Sequence, residues 1–179
     1  PIRHSMETET HLFVAKTLFE GGGTLEALLT DNHGYQSDYT APLYGDDTEA
    51  LSTASVNWSY GNVVNSQAAT GSLTLQPVTY PSDERAGLLT LPAVLALGAH
   101  SVHPSPILRG KRILERITCT ELGVPPAAAE GVRPPDTEEA ESTNRKRTES
   151  VTSSSACAAC HDQLNPAGFA FENFDSMGR

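Results

Sequence analysis

The chain has 179 residues, 38% of them hydrophobic, with only five Phe, five Tyr and one Trp, so it forms one medium domain or two small ones around a core thin in aromatic side chains. Its 22 acidic residues outnumber its 12 basic ones and leave a formal net charge of −10, which argues against nucleic acid or an anionic membrane surface as a partner. No apolar run approaches the roughly eighteen residues of a membrane-spanning helix, so no bilayer span is expected.

The start, Pro1-Ile2-Arg3, is neither an initiator methionine nor a signal peptide, and the chain reads as part of a longer processed product. Residues 5–19 form the first expected helix, with Leu12, Ala15, Leu18 and Phe19 at helical spacing and Glu7, Glu9 and Lys16 on other faces. Gly21-Gly22-Gly23 ends it. A shorter helix over 24–29 is capped by Thr24, with Leu25, Leu28 and Leu29 expected to face inward. Asp31-Asn32-His33-Gly34 reads as a turn, and residues 36–43 as a further helical turn stopped by Pro42.

Residues 46–81 change in texture. Ser, Thr, Asn and Gly are abundant, and the stretches 54–60 and 72–78 alternate apolar with polar, the pattern of a small β hairpin or meander in which Trp58 and Tyr60 pack across strands. From Glu84 the pattern is helical again, and the apolar residues from Leu88 to Leu97 place a helix mainly over 91–98. A proline-rich loop with His100 and His103 follows. Residues 107–117 form an amphipathic helix on which Arg109 and Lys111 could pair with carboxylates. Cys119 is an odd thiol, expected to be buried and free. Residues 122–136 are a proline-rich linker that favours extended backbone, and residues 137–150 a solvated charged helix.

The chemistry lies in the last segment, Cys157-Ala158-Ala159-Cys160-His161 followed by Asn165-Pro166-Ala167-Gly168-Phe169. C-x-x-C-H is a covalent haem attachment motif: two thiols add across the vinyl groups, and the adjacent histidine reaches the iron. A thioredoxin-type dithiol would follow a β-strand, and here Thr152-Ser153-Ser154-Ser155 precedes. A closed zinc site needs a second ligand pair, and the chain has none at such spacing. The cofactor expected is therefore haem c, with His161 the proximal ligand. His100 leads as the second iron ligand because it ends the apolar helix; His103 and Met177 are alternatives, or the position is open. Arg109 is placed against haem propionates, and Phe169, after a Pro-Ala-Gly turn, against the porphyrin edge together with Phe171 and Phe174.

The stretch from Cys157 through Asn165, Phe169 and Gly178 resembles the C-terminal cytochrome-type module of large exported multidomain proteins of unknown function in planctomycetes and myxobacteria. Residues 85–90 and 105–111 resemble the same architecture, as does the N-terminal part ending near Tyr44-Gly45. Members usually carry aspartate where Asn165 stands and a different residue where Met177 stands, and they continue beyond Gly178-Arg179 into a further small domain. The resemblance implies an exported haem protein and no particular activity.

The expected architecture is mainly α with a small β insertion: a helical segment 1–45, a β-rich insertion 46–81, and a cytochrome c-like haem-binding module 82–179 with long irregular loops. The expected function is electron transfer outside the cytoplasm, periplasmic or extracellular, with a redox partner protein or a larger assembly. The alternatives are a peroxidase or oxygenase acting on an extracellular substrate, and a structural or carbohydrate-associated component with an auxiliary haem.

Overall fold

A computed structural model describes residues 2–45, 49–50, 56–60, 71–101, 103–129, 131–132 and 143–179. It is mainly helical with a small antiparallel sheet, and it divides into two compact units. The first comprises Pro1–Val94 with Met177–Arg179, and the second Leu95–Ser176.

The first unit opens with α1 (Ile2–Phe19) and α2 (Leu25–Thr30). Thr24 caps α2 by accepting the Ala27 N–H at 3.0 Å, satisfying one of the donors that a helix start leaves open. Among the described residues four strands follow: β1 (His33–Gln36), β2 (Glu49–Ala50), β3 (Val56–Tyr60) and β4 (Gly71–Thr79). β4 is the hub, pairing antiparallel with β1 from His33↔Thr79 to Gln36↔Gln76, with β2 at Glu49↔Thr79, and with β3 from Val56↔Leu75 to Tyr60↔Gly71. The alternating stretches thus form a strand pair. The side chains of Trp58 and Tyr60 lie outside the described residues.

Several local expectations are corrected here. The turn expected at 31–34 is the entry to β1, because backbone pairing with β4 outweighs the turn propensity of Asn32 and Gly34. Leu25 is exposed, and α2 buries no residue. The buried face of α1 runs through Ser5, Thr8, Glu9, Leu12, Phe13 and Thr17, while Leu18 and Phe19 are exposed. Glu9, expected outward, is in fact among the most deeply buried side chains.

Polar partners explain the inversion. Glu9 Oε1 accepts from the Ser37 N–H at 3.1 Å and from the Thr40 hydroxyl, and Oε2 lies 3.0 Å from the Tyr44 hydroxyl. The Tyr44 and Tyr80 rings stack at 4.8 Å, and the Arg85 guanidinium sits 4.8 Å over Tyr44. Arg85 also donates to the carbonyls of Thr90, Leu43 and Gly178. Burial pushes the Glu9 carboxyl up from its ordinary 4.5 to about 8, only partly opposed by the Ser37 and Tyr44 hydrogen bonds and by Arg85.

The second unit is built on α4 (Pro106–Arg116), α5 (Asn144–Thr152) and α6 (Ser155–Phe169); α3 (Pro92–Leu97) carries the chain across the division between units. Ser105 caps α4 through the Leu108 N–H, with Pro106 at a first-turn position that needs no donor. α4 and α6 cross with their backbones in contact. A methyl group on Gly110 would overlap the Leu164 carbonyl oxygen, and one on Gly168 would overlap the Pro106 carbonyl oxygen. Small residues at both contact points let two helices approach this closely, as larger side chains cannot. The expected Pro-Ala-Gly turn is therefore not a turn: Pro166, Ala167 and Gly168 lie inside α6, held there by packing against α4. Cys119, expected to be buried, is exposed beyond α4. Of the charged segment 137–150, residues 137–142 lie outside the described residues, and Asn144 onward forms α5.

Two substitutions test these cores. Glu9 binds its extra proton in the fold between about 4.5 and about 8, so its stabilising contribution is complete below the lower value and is lost as pH rises to the upper one. Glu9→Gln should flatten that decline, about 5 kcal/mol, in denaturation midpoints measured across this window. Gly110→Ala, at the helix crossing, should cost about 3 kcal/mol by denaturant titration. A loss within measurement error would mean that the two backbones do not touch.

Candidate functional site

The first two turns of α6 present Cys157, Cys160 and His161 at positions i, i+3 and i+4, which a helix places on one face. The N–H groups of Cys157 and Ala158 both reach the Ser154 carbonyl at 2.9 Å, so the motif is helical from its first residue. The two cysteines are unbridged; Cys157 is half-buried and Cys160 exposed.

All three residues line one groove of about 150 Å³. Its other walls come from Ile107 on α4, Leu164 on α6, and Leu122, Pro125 and Pro126 of the irregular segment after α4. The proline-rich stretch expected as a linker therefore forms a wall of the site. The groove is apolar apart from the sulfur atoms, the imidazole and Lys111.

His161 also borders a second, more polar cleft of about 660 Å³, shared with Arg145, Thr152, Asn165 and Phe169. Phe169 is half-buried, and the Arg145 guanidinium lies 4.7 Å over its ring, a cation–π contact. The imidazole Nδ1 is 3.0 Å from Asn165 Oδ1, one helical turn on. Asn165 Nδ2 in turn donates to Thr152 Oγ1 at 2.8 Å, and that hydroxyl donates to the Thr148 carbonyl at 2.8 Å.

These residues fit a covalently bound haem. Two unbridged thiols and an imidazole share one apolar wall, as thioether attachment at the macrocycle edge and axial ligation at its centre require. Among the described residues, no group of three or more His, Cys, Asp or Glu is placed to hold a metal ion, these three included.

The remaining candidates are more scattered. Arg109 is buried and lines neither cleft. Its Nη1 donates to the carbonyls of Phe171 at 2.7 Å and Phe174 at 2.8 Å, its Nη2 to Asp175, and its Nε to Leu95 at 3.4 Å. Burial lowers its proton affinity, while Glu172 and Asp175 act to hold the charge. His100 and His103 are both exposed and line neither cleft, and Met177 belongs to the first unit.

Arg145, Thr152 and Asn165 are absent from the sequence reading of the site. The signal for Asn165 is its i+4 spacing from His161, which counts only once the motif is seen as helix rather than turn. Arg145 and Thr152 lie on a different helix, and no local pattern connects them to the motif.

No helix of the described residues is long and apolar enough to cross a membrane. No curated protein and no solved structure matches the chain. A family model does match residues 85–179, more than half of the chain, and it takes in both segments of strongest resemblance, 105–111 and 157–178. The chain belongs to the PSCyt3 family, described as proteins of unknown function (DUF1588).

Proposed function

We propose that the chain is an exported c-type haem protein acting in electron transfer. Cys157 and Cys160 hold the macrocycle through thioethers, and His161 supplies an axial nitrogen to the iron. The observation that carries this reading is the convergence of both thiols and the imidazole on one apolar groove. Bound there, haem c supplies reversible one-electron exchange at its iron.

The protein's own part is to bind, orient and shield. The C-x-x-C-H motif lies on a helix whose far end is packed, backbone to backbone, against α4, so the ligand and both attachment points move as one piece. Ile107, Leu164 and the prolines of the wall segment keep water from the groove, and a drier site raises the potential of a bound iron. Arg145, over Phe169 beside the second cleft, is better placed than Arg109 to meet a propionate. The partner is a redox protein or a larger assembly in the periplasm or outside the cell, and the net charge of −10 favours a basic docking face.

One observation favours a second reading, a haem oxidoreductase with an open iron position: neither His100 nor His103 lines a cleft that His161 borders. The visible spectrum separates the two. Expressed with haem-attachment machinery, the chain should gain the mass of one haem under denaturing conditions and lose that gain when both Cys157 and Cys160 are changed to Ser. Sharp low-spin bands insensitive to carbon monoxide are expected for electron transfer. A high-spin spectrum that shifts with carbon monoxide transfers the assignment to the oxidoreductase, and a chain without covalent haem overturns both.

A further inference from the structure

We infer that Asn165, oriented by Thr152, is a positioning residue that holds His161 as its Nδ1–H tautomer and leaves Nε2 as the ring nitrogen with a free lone pair. The identity of the ligand that Nε2 meets rests on the haem reading above; the tautomer does not.

Donors and acceptors along one chain of contacts fix both the amide and the imidazole. Thr152 Oγ1 lies 2.8 Å from the Thr148 carbonyl, which can only accept, so the hydroxyl hydrogen points there. The same oxygen must then accept from its other neighbour, 2.8 Å away, which makes that atom the amide nitrogen of Asn165. The amide oxygen is thereby turned toward His161, 3.0 Å from Nδ1, and an oxygen acceptor requires a hydrogen on that nitrogen.

Reversing the amide would need the Thr152 hydroxyl to leave the Thr148 carbonyl and donate to Asn165 instead, at the loss of one hydrogen bond. Both threonines are buried, at 1% and 5% exposure, so water does not replace that bond. One net hydrogen bond corresponds to a bias of roughly tenfold between the two amide orientations. Free histidine in water favours the opposite, Nε2–H, form, so the protein reverses an intrinsic preference.

Three features place this network in a ligand-orienting role. It is directed at the one residue, among those described, that borders both the thiol groove and the polar cleft. It ties α6 to α5 at the level of the motif. Finally, a hydrogen bond accepted from the far nitrogen of a ligating histidine fixes the ring's rotation and raises its basicity, the ordinary task of residues behind a metal ligand.

The test reads the tautomer directly, by long-range nitrogen–proton NMR of His161 in the full chain without haem. The spectra are recorded at about pH 9. Wild type should show predominantly Nδ1–H. Asn165→Leu should convert it to predominantly Nε2–H, and Thr152→Val, which frees the amide to turn, should give a mixture. Asn165→Asp, which keeps an acceptor, should retain Nδ1–H. Predominant Nε2–H in wild type, or an unchanged tautomer in Asn165→Leu, overturns the inference.

The haem-loaded protein provides a second readout. There Asn165→Leu should raise the reduction potential and Asn165→Asp lower it, whereas a purely structural role would move both in the same direction. If no haem attaches, the proposed function fails while the tautomer result stands. If haem attaches and the tautomer is wrong, only the positioning role fails.

Discussion

The second unit depends on one close crossing. α4 and α6 meet with no side chain between them at Gly110 and Gly168, so each helix fits against the other's carbonyl oxygens. That contact keeps Pro166, Ala167 and Gly168 helical although their composition reads as a turn. It also anchors the C-terminal half of α6 so firmly that the N-terminal half, with Cys157, Cys160 and His161, is held as an extension of a fixed rod. The precision of the candidate site thus originates more than a turn away from it.

Both units solve the same problem in the same way. The chain has long irregular segments and little aromatic mass, so buried carbonyls outside helices and strands need donors from elsewhere. Arg85 in the first unit and Arg109 in the second provide them, each guanidinium reaching three or four main-chain oxygens from distant segments. A planar group with five N–H donors suits this task better than any other side chain. Arg109 in this role is a fastener of the turn after α6.

The sequence reading succeeded where a pattern was local. Periodicity and the capping residue Thr24 located α1, α2 and α4, and the alternation in 54–60 and 72–78 located the paired strands. The Cys-x-x-Cys-His spacing marks the candidate site because all three residues lie within about one helical turn. The reading failed where distant partners decide the outcome. Glu9 sits on the buried face of α1 because Ser37, Thr40 and Tyr44, about thirty residues on, satisfy it. Segment 122–126 looked like a spacer because nothing in its own composition reports that α6 packs nearby. Asn165 and Thr152 are polar residues of ordinary type, and their significance arises only from a contact between two helices.

One connection has a consequence for biogenesis. The acceptor that Arg85 finds at Gly178 lies 93 residues further along the chain, and every residue of the second unit is synthesised in between. Domains ordinarily fold in the order in which they are made. Here the Gly178 acceptor of the earlier unit is made only after all residues of the later one are in hand. Completion therefore runs from the inserted unit outward, and the first unit closes only after the second has been made.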